Sequence, residues 1–194
     1  YIRLTDAAYS TSWTSVPMVD NGTAGDALAG DSIYTAVLPA NLQINRRLVR
    51  YRVTFADASG NAATVPYVDD EQPNFAYYVY DGLPAWQGAL RPGTTSIDTY
   101  PATVLDDIPI YSLVANGTDV INSQYSSGSD ADRFRGTFVY NGDVYDHIQF
   151  RNRGEGSTYV SGKNKWRFFF NRARDLSATY NVNTPYTETW GCFS

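Results

Sequence analysis

The chain predicts a mainly β fold, with a β-sandwich over residues 1–80 and a second β-rich segment after it. Three observations carry this. Tyr and Phe are abundant, at 16 and 9 copies in 194 residues, and stand among Val, Ile and Thr, the side chains that suit a pleated, half-buried surface. Gly, Asn, Asp and Ser interrupt the apolar runs at short intervals, as turns require. Several stretches alternate apolar with polar residues, and two of them are joined by Asn141-Gly142, a strong short-range hairpin signal.

In chain order, strands are expected at Tyr1-Ile-Arg-Leu, at 14–19 and at 33–39, the last two separated by a turn-rich segment. The run from Leu48 to Asp57 alternates cleanly and predicts one strand with Val49, Tyr51, Val53 and Phe55 on the core face. Residues 57–61, Asp-Ala-Ser-Gly-Asn, form a hairpin turn, because Gly and Asn tolerate positive φ. The chain returns through 62–67 as an edge strand, where Pro66 loses no ladder bond. Another strand covers 74–81. Residues 81–105, with Pro84, Pro92 and Pro101, read as a linker or irregular wrap. Strand character resumes at 108–114, and the polar stretch from Gly117 to Arg133 suits a short helix or a loop.

From Phe134 the pattern strengthens. Phe134–Tyr140 and Val144–Arg153 form a hairpin across Asn141-Gly142-Asp143, and a third strand carries Lys163 to Phe170. Alternation places Val144, Ile148 and Phe150 on one face of the second strand, and Tyr145, His147, Gln149, Arg151 and Arg153 on the other. In the third strand Trp166, Phe168 and Phe170 oppose Lys163, Lys165, Arg167 and Phe169. One face of this sheet is thus aromatic. The other pools Arg133, Arg135, Arg151, Arg153, Lys163, Lys165 and Arg167.

Charge singles out the same region. Residues 133–174 hold nine Lys or Arg against three acids, a net +6, which leaves −11 for the rest of a chain whose total is −5. Segregation of this kind points to a surface that meets an anion; the plainer reading is a solvated face, or one paired with the acidic remainder. Between the second and third strands, residues 154–162 read Gly-Glu-Gly-Ser-Thr-Tyr-Val-Ser-Gly. Such a loop can turn backbone N–H groups toward a phosphate, although similar loops also join hairpins that bind nothing. An overall pI of 4.7 argues against nucleic acid as the anion.

Other constellations are weaker. Asp20, Asp26 and Asp31 are spaced around Gly22, Gly25 and Gly30; oxygen ligands on a flexed loop suit calcium, and a plain turn explains the same residues. Asp69-Asp70-Glu71 reads as a solvated loop. His147, the single histidine, has no nucleophile motif beside it and reads as structural. Four Trp could stack on sugar rings, but they are dispersed in sequence, as core residues are. The single cysteine, Cys192, excludes an intrachain disulfide. Asn21-Gly-Thr and Asn116-Gly-Thr are sequons. No apolar run approaches the ~20 residues of a membrane span. The first residues show no export signal and read as mid-strand, which fits a fragment of a longer chain. Few Lys, an acidic pI and many Ser, Thr, Asn and Tyr suit an exported bacterial protein, extracellular or on the cell surface.

These residues resemble a known family. Ile148-Gln-Phe-Arg-Asn-Arg-Gly-Glu-Gly-Ser-Thr followed by Lys163-Asn-Lys-Trp-Arg-Phe-Phe-Phe-Asn is similar to the start of the spore coat protein H (CotH) kinase family. Its typical wording is an apolar strand, R-x-R-G-x-x-S, a gap, then K-K-x-x-x-x-x-F. Asp107-Ile-Pro-Ile-Tyr-Ser-Leu and the hairpin from Phe134 to Ile148 also resemble that family's approach to the motif. Residues 16–39 and 49–61 resemble the fibronectin-III-like or immunoglobulin-like module that often precedes such domains.

The resemblance implies an Ig/FnIII-like sandwich at 1–80, a linker at 81–105 and, at 106–194, the N-terminal small-lobe portion of a kinase-like domain. It further implies ATP and Mg²⁺ as cofactors of the longer protein and a protein substrate of a surface or spore-coat type. Arg151, Arg153, Lys163, Lys165 and Arg167 would then face nucleotide phosphates. No equivalent of Asp-Phe-Gly or His-Arg-Asp stands in these 194 residues, so the reaction's carboxylates are expected further along a longer chain. Two alternatives remain: a non-enzymatic extracellular module that binds glycan or protein, and a degenerate kinase-like scaffold.

Overall fold

The structure is a computed structural model that describes residues 2–3, 13–89, 96–107, 109–126, 131–153, 166–181, 184–188 and 190–193. It is mainly β, and every strand pairing is antiparallel. Two compact units emerge: one comprises residues 1–68 and 74–81, the other residues 69–73 and 82–194. No helix among the described residues is long and apolar enough to cross a membrane.

In the first unit, β1 (Ile2–Arg3), β2 (Arg47–Tyr51) and β5 (Phe75–Val79) form a three-stranded sheet in the order β1-β2-β5. A separate hairpin joins β3 (Val53–Ala56) to β4 (Ala62–Val65). The sequence predicted one strand through Leu48–Asp57, whereas the chain changes sheets at Arg52. Tyr51 is the last residue paired to β5, opposite Phe75, and Val53 the first paired to β4, opposite Val65.

The expected core face changes accordingly. Leu48, Val49 and Arg50 are all buried, so both faces of β2 are covered, while Phe55 is 56% exposed. Alternation within one strand cannot describe a chain that serves two sheets. Strands were also expected at 14–19 and 33–39. Only one bridge forms there, between Val19 and Thr35, and Ile33 and Val37 remain exposed.

The turn at 57–61 forms as predicted. Asp57 N donates to Asn61 O at 2.9 Å, and Gly60 has φ +86°. The Asp57 carboxylate accepts from Ser59 N, Asn61 N and Asn61 Nδ2 at 2.8, 2.9 and 2.7 Å. Those bonds, the Asn61 side chain first, hold its pKa below the usual 3.8. A depressed folded-state pKa makes this contribution present above the unfolded value and lost as pH falls through the folded one. Asp57→Ala is therefore expected to loosen the hairpin at neutral pH and to match the parent below the carboxylate range, measured by amide exchange at Ser59 and Asn61.

In the second unit, β6 (Trp86–Ala89) and β7 (Ile97–Tyr100) make a hairpin within the segment read as a linker, followed by a helical turn, α1 (Ala102–Leu105). Next come β8 (Tyr111–Ala115), α2 (Gly117–Tyr125), β9 (Phe134–Tyr140), β10 (Asp143–Asn152) and β11 (Trp166–Phe169). A hairpin of β12 (Leu176–Asn181) and β13 (Thr184–Glu188) leads into β14 (Trp190–Phe193). The five-stranded sheet runs β14-β11-β10-β9-β8. Asn141 and Gly142 have φ of +50° and +87°, the positive values a tight two-residue turn needs. Both sequon asparagines serve locally: Asn116 Oδ1 caps α2 by accepting Thr118 N at 2.9 Å, and Asn21 Oδ1 accepts both Thr23 N and Thr23 Oγ1.

The core lies on the aromatic face of this sheet. Phe138, Tyr145, Ile148, Phe150, Phe168, Phe170 and Leu176 are buried together, and Val120 of α2 packs against them. Gly136 in β9 is required by this packing. A side chain there would press on Val114 O, the Phe150 ring and Ala115 Cβ at 3.0 to 3.2 Å.

The candidate anion-binding face

Antiparallel register decides which charged residues meet. Gln149 lies opposite both Arg135 and Phe169, and Arg151 lies opposite Arg167. These residues share one face of β9, β10 and β11, with Arg133 at its start. Three guanidinium groups surround the Phe169 ring, with Cζ atoms 4.0 Å (Arg133), 4.9 Å (Arg167) and 5.8 Å (Arg151) from its centroid. The electron-rich ring face offsets part of the repulsion between like charges. Arg133 Nη1 also donates to Gln149 Oε1 at 3.2 Å, and Arg151 Nη1 to Asn152 O at 3.1 Å.

The face is graded in depth. Arg151 is buried at 8% exposure, Arg167 is half-buried, and Arg133, Arg135 and Arg153 are exposed. An anion approaching here would meet the exposed cations first and the buried ones beneath. Guanidinium groups suit phosphate because their planar donor array matches two oxygens at once. Of the site residues read from the sequence, Arg151 and Arg167 are brought directly together, and Arg153 lies just past the end of β10. Lys163 and Lys165, with the whole 154–165 segment, lie outside the described residues.

The alternation read along β10 needs correction. Tyr145 was expected on the charged face and Val144 on the aromatic one; the structure reverses both. Tyr145 pairs with Phe138 in the core, and Val144 pairs with Val139 on the opposite side. The cause is a β-bulge, in which Asp146 and His147 together oppose Thr137 and shift the phase of every residue before them. His147 takes φ +56°, a left-handed value uncommon for a non-glycine residue.

The bulge carries a buried polar cluster that the sequence reading missed. Asp146 is fully buried and accepts from Thr137 Oγ1 at 2.5 Å and from His147 N at 2.8 Å. Its backbone oxygen accepts from Asn171 Nδ2 at 2.9 Å, and His147 Nε2 lies 3.7 Å from Asp146 Oδ2. These bonds hold the bulge in the middle of β10. The available signal was the spacing of Tyr145 and Ile148, which are three apart and cannot share a face of a regular strand. Nearby, Tyr145 OH accepts from Ser177 N at 2.9 Å; burial pushes the phenol pKa up, against this hydrogen bond, which lowers it.

In the first unit, the structure brings Asp20, Asp26 and Asp31 within 4.8 Å of one another. Their oxygens serve the loop. Asp20 accepts from Gly30, Asp31 and Ser32 N, Asp26 from Gly22 N, and Asp31 from Ile33 N. The backbone bonds account for the cluster as a turn. Glu71 likewise serves the backbone of the second unit, accepting from Arg172 N at 2.8 Å.

Comparison with protein-family models, with curated proteins and with solved structures finds no match for this chain.

Proposed function

We propose that this chain is the N-terminal part of a secreted or surface-associated atypical kinase similar to the spore coat protein H family. In that reading the 1–80 region is an Ig/FnIII-like sandwich, and the sheet of the second unit is the small-lobe portion that holds the phosphates of ATP. One observation carries it: Arg151 and Arg167, on the strands that flank the Gly- and Ser-rich 154–162 segment, gather with Arg133 around Phe169. Phosphoryl transfer needs cations held in fixed positions against phosphate oxygens, and the packed aromatic face behind these strands supplies the rigidity.

Within this reading Arg151 and Arg167 orient the phosphates, and Arg153, Lys163 and Lys165, which border the 154–162 segment in sequence, add charge. Magnesium and the carboxylates that hold it belong to a longer chain, whose substrate is another surface protein. The test is calorimetric titration of the longer protein with ATP and Mg²⁺. Lys165→Ala and Arg167→Ala are each expected to weaken binding about tenfold, the scale of one charge-assisted contact, with the far-ultraviolet dichroism unchanged. Unchanged affinity in both variants would remove this face from the nucleotide site.

A further inference from the structure

The β6–β7 hairpin carries a second surface of different chemistry. Across it, Trp86 pairs with Tyr100 and Gly88 with Asp98, so Trp86, Gly88, Asp98 and Tyr100 share one face. The opposite face carries a cross-strand bond, Gln87 Nε2 to Thr99 Oγ1 at 3.1 Å, and no aromatic side chain.

Trp86 is 56% exposed, unusual for the largest side chain in a protein with an aromatic core to fill. Its indole lies across Gly88, where a methyl group would overlap the ring. The glycine is therefore what lets the indole lie flat on the strand. Tyr100 extends the surface: its ring is 5.7 Å from the indole and inclined by 27°. Asp98 is exposed beside them, with one carboxylate oxygen accepting Thr99 N at 2.8 Å.

We propose that this face binds a neutral glycan, stacking one pyranose ring on Trp86 while Asp98 accepts hydrogen bonds from its hydroxyls. A gluco-configured pyranose has a flat apolar face of axial C–H bonds and a rim of equatorial hydroxyls. The first complements an open indole and the second a neighbouring carboxylate. The negative charge of Asp98 disfavours an anionic sugar or a nucleotide at the same place. The platform stands on different strands from the cationic face and does not depend on the kinase reading.

The experiment is native affinity electrophoresis of the 194-residue protein in gels containing soluble β-glucan, xyloglucan or glucomannan, with pull-down on insoluble cellulose and chitin. Binding to at least one of these is expected. Trp86→Ala should weaken it about tenfold or more, the scale of losing one stacked ring. Gly88→Ala, which keeps the indole but displaces it from the strand, should weaken it as well. Trp86→Tyr should restore part of it, which separates loss of the platform from misfolding. Absence of binding to all five glycans, or binding that Trp86→Ala leaves unchanged, overturns the proposal. So does a dimer that Trp86→Ala converts to monomer with no glycan bound, because the occupant would then be a second copy of the chain.

Discussion

Replacing Phe138 by alanine is expected to destabilise the second unit by about 3–5 kcal/mol, the range for deleting a buried phenyl group and leaving most of its cavity unfilled. Phe138 is 1% exposed and sits among four rings: Phe168 at 4.9 Å, Phe170 and Tyr111 at 5.6 Å, and Tyr145 at 6.4 Å. The Phe170 contact is edge-on, an arrangement that adds about 0.5–1.5 kcal/mol beyond buried area. Domains of this kind are stable by only about 5–15 kcal/mol, so the variant should sit near its unfolding threshold. Urea unfolding followed by tryptophan fluorescence measures it, with Phe138→Leu as the milder comparison. A loss below about 1 kcal/mol would show that the core is not centred on this ring.

Asp146→Ala is expected to be the next most damaging change, at about 2–4 kcal/mol, because it removes from a buried site the acceptor used by the Thr137 hydroxyl and by His147 N–H. Asp146→Asn keeps an oxygen in nearly the same place and should recover much of the loss. The same urea experiment decides this, and equal destabilisation in the two variants would count against the hydrogen-bond account. The bulge also sets the phase of β10, so the alanine variant should broaden the amide resonances of Tyr145 and Val144 before it unfolds the sheet.

How far the sequence could be read follows from which signals are local. The Asn141-Gly142 turn, the flanking strands and the aromatic side of β11 depend on neighbours in sequence, and the structure agrees with them. That Arg151 and Arg167 share a face was also legible, because alternation runs unbroken from Ile148 to Asn152, whereas their direct pairing was not. Phase was lost where the chain departs from a regular strand: at Asp146-His147, where one extra residue reverses every side chain before it, and at Arg52, where the strand changes partner. The hairpin of β6 and β7 was obscured by three prolines that flank or interrupt it. That Phe169 gathers three arginines could not be read from spacing, because it depends on side chains converging from three strands. The anion reading of that face rests on its charge and geometry together.

The connectivity of the five-stranded sheet bears on how it assembles. From β8 through β11, each strand lies beside the one that follows it in sequence, so each pairing closes a single connection, shortest between β9 and β10. Folding rates rise as contacting residues come closer in sequence, and the β9–β10 hairpin, with its two-residue turn, is the least demanding nucleus available. The last strand differs. β14 reaches β11 only after the chain has travelled out through β12 and back through β13, so the edge beside Arg167 is the part of the sheet with the longest loop to close.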